Sequence, residues 1–310
     1  MDPPWSAGKM ALKDIPFALH ANDIVKHIVN IDSRFRVPTE GTDSGYFYFR
    51  LPAPIRNVMR IRVTSIEIPN TYYIFSAYRR NVTFYITFGP PQLVTATVVI
   101  PDGNYTVSDM LTTVNRLLTA SSLSWLTLTF NPVDSTFTFT GKQEFCFNTV
   151  CSEANGETYA RECDYGLGYN LGFARGLYPA TRDLSGNYIV TSNQNISFMG
   201  DPYVFLKVND FECVRQTTVG GYQFTALAKI IMKQAKDYMN FDDYAGDHAK
   251  EVTFPAPYDL SRFKIQLLDP YGNLLQTNSA QVSFSLEVLE IRNPALYNTI
   301  RDAFATRWSV

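Results

Sequence analysis

From Tyr46 onward the chain returns an apolar residue at every second position, run after run, and closes many of those runs on proline, glycine or asparagine. Met59, Ile61 and Val63 alternate with Arg60, Arg62 and Thr64, and SIEIPNTYYIFS at 65 to 76 carries the break IPN. A period of two puts successive side chains on opposite faces of a pleated strand, so these runs read as half-buried strands. Ile66 and Ile68 continue the alternation one position out of phase, which predicts a β-bulge near Ser65. The chain is therefore expected to be mainly β.

YFYFRL at 46 to 51 is a dense aromatic strand, expected to stop at Pro52 and Pro54 because proline cannot donate to a ladder. Further strands are expected at 82 to 88, at 93 to 100, and as a hairpin from 126 to 130 and 136 to 140 with one threonine-rich wet face. YVFLKVNDF at 203 to 211, FKIQLL at 263 to 268 and VSFSLEVLEI at 282 to 291 complete the set, the last two joined across DPYGN. The period switches to 3.6 once with clarity. Thr106 can cap a helix with Asp109 three residues on, and Val107, Met110, Leu111, Val114, Leu117 and Leu118 form one stripe. A helix from about 107 to 120 follows, with Met110, Leu111, Val114 and Leu118 buried. In residues 224 to 239, Phe224, Leu227, Ala228, Ile231, Ala235 and Tyr238 favour a helix, while AKIIM at 228 to 232 equally suits a strand. Residues 150 to 200 weaken into Gly, Asn, Ser and Tyr and read as long loops.

The first 30 residues show neither alternation nor a helical stripe and read as an extended N-terminal arm. The whole is then an arm (1 to 30), a β-sandwich or jelly-roll-like body (31 to 295) with one inserted amphipathic helix, and a tail (296 to 310). The body is either one unit or two β subdomains meeting near 175 to 200. At 310 residues it can bury a large core without disulfides or metals.

Aromatics make up 14% and charged residues only 18%, which suits broad contacts with neighbours. A net charge of -2 gives no general attraction to nucleic acid, and no specific nucleic-acid partner is expected. Residues 31 to 80 are locally +4, with Arg34, Arg36, Arg50, Arg56, Arg60, Arg62, Arg79 and Arg80 against Asp32, Glu40, Asp43 and Glu67, whereas Asp237, Asp242, Asp243 and Asp247 gather later. Solvated strand exteriors explain this most simply; complementary docking between copies is the other reading. No signal-peptide pattern opens the chain, so Cys146, Cys151, Cys163 and Cys213 are expected as thiols, and Asn81, Asn104 and Asn195 as unglycosylated strand and turn residues.

Catalytic patterns fail on spacing. GK at 141 to 142 is followed by Gln143 and lacks the loop glycine, and GLGYNLG at 166 to 172 has one residue too many for a dinucleotide fingerprint. Cys146, Cys151 and Cys163 could be imagined on zinc, but Cys146 sits in an apolar FCF strand. Asp242, Asp243 and Asp247 lack the spacing of a calcium loop. Glu67 and Glu290, in IEIPN and LEIRN, would suit a glycosidase only if brought together. No catalytic, cofactor-binding or metal-binding residue is assigned, and no cofactor is expected.

In order along the chain, VNIDSRFR (29 to 36), LPAPIRNVMRIRVTSIEIPNTYYIFS (51 to 76), VIPDGNYT (99 to 106) with its helix, NLGF (170 to 173), YVFLKVNDF (203 to 211), FKIQLLDPYGN and SFSLEVLEI resemble the minor capsid proteins of nucleocytoplasmic large DNA viruses, the giant icosahedral group. The resemblance covers most of residues 29 to 291. It implies a non-enzymatic jelly-roll-like protein, made in the host cytoplasm, on the inner face of the virion's capsid. There it would cement capsomers, with major capsid protein and other minor capsid proteins as partners, self-association, and peripheral contact with an internal viral membrane as a further position. It also implies a strand at 228 to 232. A carbohydrate- or receptor-binding β-sandwich, its exposed tyrosines stacking on sugar rings, is the alternative.

Overall fold

The computed structural model describes residues 23–40, 43–89, 94–149, 166–217, 223–242, 250–295 and 297–298. The chain divides into two compact units. The first takes residues up to Thr71, Tyr203–Gln216 and those from Phe224 on; the second takes Tyr72–Pro202 and Thr217–Gln223. The second unit is thus an insertion, and the chain leaves the first unit far earlier than a division near 175 to 200 implies.

The first unit is built on one sheet. Its strands are β1 (Ile24–Asp32), β2 (Tyr46–Pro69), β11 (Tyr203–Val208), β14 (Ala228–Ile231), β15 (Met239–Asp242), β16 (Glu251–Leu268) and β17 (Ser283–Ile291), in the order β1-β17-β2-β16-β11-β14, with β15 on the end of β2. All these pairings are antiparallel. Directly opposed residues share a face, so the apolar alternation becomes rows across the sheet. Val29, Leu286 and Val63 form one row and Ile31, Phe284 and Ile66 another, while Val208, Ile265 and Phe47 form a third, every member buried. The phase change is a bulge where expected: Ser285 opposes Ser65 but Leu286 opposes Val63, which leaves Thr64 without an opposite residue.

Several expectations are corrected here. Residues 24 to 30 of the supposed arm are strand β1, because Val25, His27, Val29 and Ile31 turn inward against β17; residues 1 to 22 lie outside the described residues. Pro52 and Pro54 do not end the aromatic strand. β2 runs through them, and its ladder with β16 lapses instead: Arg50 opposes Arg262, then only Ile55 with Leu260 and Val58 with Tyr258 pair before Arg60 meets Thr253. Pro255 and Pro257 of β16 fall in a lapse of the same ladder, so neither pair of prolines is asked for a hydrogen bond it cannot make. The helix favoured at 224 to 239 is three short strands, β13 (Gln223–Ala226), β14 and β15, since pairing with β11 and β2 overrides local periodicity. β16 and β17 are no hairpin, for β2 lies between them. Of the tail, Tyr297 and Asn298 alone are described.

The second unit is a β-sandwich. One sheet has the order β4 (Val94–Val99), β3 (Thr83–Phe88), β7 (Phe145–Asn148), β8 (Leu177–Pro179); the other has β5 (Leu126–Asn131), β6 (Thr136–Gly141), β10 (Tyr188–Thr191), β9 (Thr181–Arg182). Phe84 and Phe147 from the first sheet meet Phe139 of the second at ring separations of 5.5 and 5.0 Å. The predicted hairpin is β5-β6, with Thr127 and Thr129 on its exposed side. Three short strands stand where loops were expected between 176 and 191; residues 150 to 165 lie outside the described set.

The helix α1 (Val107–Thr119) starts on a complete capping box. Thr106 Oγ1 accepts from the Asp109 amide, and the Asp109 carboxylate accepts from the Thr106 amide. Met110, Val114 and Leu118 are fully buried in the sandwich core, whereas Leu111 is only half-buried, at the flank of the stripe. Asn115 fixes the helix to β5 by donating to the Leu128 carbonyl and accepting from its amide. Met110→Ala is therefore expected to cost about 2 to 5 kcal/mol in urea unfolding. Leu111→Ala, contrary to the sequence expectation, should cost less than half as much. Thr106→Ala should cost about 1 kcal/mol through loss of the cap.

Candidate functional site

The face of the first unit's sheet opposite the apolar rows carries most of its chemistry. Lys207, Gln266 and Tyr46 lie opposite one another across β11, β16 and β2, and Lys264 opposes Tyr48 in the next row. Farther along this face the hairpin β12 (Val214–Thr217) and β13 packs Phe224 on Phe205 and Leu268. Beside that covered patch the surface opens into a concavity of about 390 Å³, lined among others by Tyr48, Lys207, Asp210, Tyr258, Asp259 and Lys264.

Local geometry builds this hollow. The register shifts of β16 between Thr253 and Arg262 leave Asp259 and Ser261 without opposite residues on β2 beside the isolated pair of Tyr258 with Val58, so Tyr258, Asp259 and Ser261 form a wall instead of a continuous ladder. Asn209 holds the opposite side. Its backbone is left-handed (φ 48°), a conformation asparagine tolerates, and its side chain accepts from the Lys264 amide and donates to the Arg262 carbonyl. Tyr258 is backed by Phe254, stacked at 5.4 Å. Tyr48 is covered by the Arg262 guanidinium, 4.0 Å from the ring centre, and Arg262 is itself ion-paired with Glu40. The Tyr46 and Tyr48 hydroxyls lie 3.3 Å apart, and this hydrogen bond is the main cause that holds the Tyr46 phenol above its ordinary value. Lys207 and Lys264 present ammonium groups, while Asp210 and Asp259 supply carboxylates, so the concavity is polar and mixed in sign.

A second feature of this face is an ionic cluster on Glu287. Its carboxylate, with the side chain 9% exposed, lies 2.8 Å from Lys26 Nζ and 3.3 Å from Arg60 Nη2, and Arg60 also reaches Glu251 at 3.6 Å. The hydrogen bond from Lys26, joined by the charges of Arg60 and Arg62, holds the Glu287 carboxyl below its ordinary range against the opposing effect of burial.

The residues weighed from the sequence fall apart in space. Glu67 opposes Ser283 at one end of β17 and accepts its hydroxyl at 2.7 Å, while Glu290 opposes Val58 near the other end and meets His27 at 2.6 Å. Seven strand positions separate these sites along β17, roughly 23 Å, too far for a glycosidase pair. Within GLGYNLG a one-turn helix forms, α2 (Leu167–Asn170), and its Leu167 enters the sandwich core with Leu171 and Phe173 just beyond it. Gly172, at φ +83°, lets the backbone approach Gln194 where a Cβ would lie 2.4 Å from its carbonyl oxygen, so the motif serves packing. Asn81 is buried, accepting from the Ser76 amide and donating to the Ile74 carbonyl, and Asn104 accepts from the Ile74 amide. Both are turn clips. Cys146 is a strand residue whose thiol is pushed up by burial, and it and Cys213 carry no disulfide; Cys151 and Cys163 lie outside the described residues, as do residues 243 to 249 with Asp243 and Asp247.

No family model matches the sequence, and no curated protein is detectably similar. Among solved structures, the mavirus penton protein is similar over 86% of this chain and 98% of its own, at 9% identity and a TM-score of 0.42. A chain of the Sputnik virophage particle is similar over 87% and 98%, at 10% identity and a TM-score of 0.42. Likenesses at this level assign no function.

The Glu287 cluster has a pH signature. A carboxyl held below its ordinary value releases its proton more readily in the folded chain than in the unfolded one, so its stabilisation is complete above the ordinary value near 4.5 and is lost as pH falls through the folded value. Urea midpoints measured from about pH 6 down to pH 3 should fall for the wild type, and the fall should be shallower in Glu287→Gln.

Proposed function

We propose that this protein is a structural component of an icosahedral virus shell: a minor capsid protein that lies beneath the major capsid protein and ties capsomers together. The observation that carries the reading is where the resembling motifs fall. VNIDSRFR ends β1, LPAPIRNVMRIRVTSIEIPN is the body of β2, and YVFLKVNDF, FKIQLL and SFSLEVLEI are β11 and parts of β16 and β17, all members of one sheet. VIPDGNYT and NLGF fall in the second unit, and the remaining motifs, weak singly, map onto one cooperative element. Exposed apolar side chains on the first unit, among them Ile231, Tyr238, Met239 and Phe241 around β14 and β15, suit contact with neighbouring proteins. The partners of this reading are major capsid protein and other minor capsid proteins, with residues 1 to 22 reaching a neighbouring subunit and the inner side of the protein facing an internal membrane peripherally. No helix among the described residues is long and apolar enough to cross a membrane.

The concavity at Tyr48 and Tyr258 favours a second reading, a carbohydrate- or receptor-binding module, because a ring beside carboxylates and amides is the chemistry that takes a sugar. Against it, Arg262 already occupies the face of Tyr48, which leaves Tyr258 as the one accessible platform in the hollow.

Mass spectrometry of purified particles should find this chain in the virion, and its absence would end the shell reading. A chain lacking residues 1 to 22 should fold yet enter particles poorly or give fragile ones; normal assembly would remove the tether. A glycan-binding screen should be blank, and a hit that Tyr258→Ala abolishes would favour the second reading instead.

A further inference from the structure

β1 stands at the edge of the seven-stranded sheet and pairs with no strand on its outer side among the described residues. It is long and regular for such a place. Nine consecutive residues pair with β17 without a register shift, and the strand contains neither proline nor a bulge. Sheet edges of that kind are templates for another strand, and soluble proteins usually blunt them with proline, bulges, short length or several lysines. β1 has Lys26 and nothing else. The opposite edge, β14, is only four residues long.

The hydrogen bonds at its two ends fix which groups look outward. The Ser33 amide donates to the Val282 carbonyl and the Arg292 amide to the Asp23 carbonyl, so the odd-numbered residues of β1 bond to β17. The even-numbered residues therefore turn their N–H and C=O to the open edge. Ile24 and Ile28 are among them, and they are 39% and 62% exposed.

We propose that this edge pairs with β1 of a second copy of the chain, antiparallel across a twofold axis at Ile28, which joins two seven-stranded sheets into one. The choice of occupant follows from the residues themselves. With the axis at Ile28, Ile28 meets Ile28 of the other copy and Lys26 meets Asn30 twice, while on the opposite face Val29 meets His27 twice. Outward-facing groups oppose outward-facing groups throughout. Every neighbouring register is worse: centring on Lys26 opposes two lysines, centring on His27 sets Lys26 against Ile28, and centring on Val29 or Asn30 sets Ile28 against Asn30 or Asp32. A self-complementary patch is what a twofold interface requires. The inference stands apart from the shell reading, since it concerns the isolated protein.

The test uses the full-length chain in analytical ultracentrifugation. The wild type should be a dimer at about 100 µM, a concentration that populates even weak pairs. Ile28→Lys and Ile28→Glu place like charges across the axis at an exposed position, and each should weaken association at least about tenfold while the circular dichroism spectrum stays that of the wild type. An equimolar mixture of the two variants, one of them uniformly labelled with nitrogen-15, should recover a dimer, and native mass spectrometry should show one copy of each. A wild type that stays monomeric, a variant that dimerises as well as the wild type, or a mixture that remains monomeric would each overturn the proposal; the first outcome is also what other segments of the same chain covering the edge would produce. None of these outcomes depends on whether the chain enters virions.

Discussion

The antiparallel ladder between β2 and its two flanking strands is the constraint on which the first unit depends. β2 is hydrogen-bonded to β17 along one edge and to β16, then β15, along the other, so its register sets that of the sheet on both sides. A slip of one residue would turn Ile61 and Val63 to solvent and Arg60 and Arg62 into the core. The bulge at Thr64 and Ser65 absorbs the sequence's own change of phase, and both faces stay correctly filled on either side of it. The polar face then follows from the apolar one: once the buried rows are fixed, Tyr46, Tyr48, Lys264 and Lys207 have nowhere else to stand.

The second unit is held differently. Its sheets are short, and much of its loop structure is fastened by side chains rather than ladders. Asn104, Asn115 and Asn170 each bond backbone groups of a distant loop or strand, Asn81 clips the nearby turn at Ile74 and Ser76, and Arg79 holds Asp201 by two hydrogen bonds of 2.7 and 3.1 Å. An asparagine amide suits such a role because it carries both a donor and an acceptor to offer backbone groups that an irregular chain would otherwise leave unpaired.

Legibility in the sequence tracked the range of the physics. The helix at 107 to 119, its capping box, the hairpin of β5 and β6 and the bulge near Ser65 all rest on contacts within a few residues or on a clean period, and these could be read. Partner-dependent features could not. Proline at 52 and 54 argues for a strand end until one sees that β16 brings its own Pro255 and Pro257 to the same irregular ladder. The apolar spacing of 224 to 239 suits a helix until pairing with β11 and β2 claims it. No site residue was assigned from the sequence, and the concavity shows why: Tyr48, Lys207, Tyr258 and Lys264 come from three strands far apart in the chain, joined only by register. The one local hint is Asn209, an asparagine-aspartate pair at a strand end, a common enough signal that it points nowhere by itself.

The insertion of the second unit also orders events in time. β2 ends at Pro69, whereas the strands that pair with it begin at Met239, Glu251 and Ser283. On the ribosome the longest strand of the protein is therefore made early and left without partners while the whole second unit, whose own contacts are largely local to Tyr72–Pro202, emerges and can close first. The sheet of the first unit is completed only when β17 arrives. Until then β2 is an exposed, aromatic, unpaired strand, and the two prolines that a finished ladder merely tolerates interrupt it where a wrong partner would otherwise zip along its length.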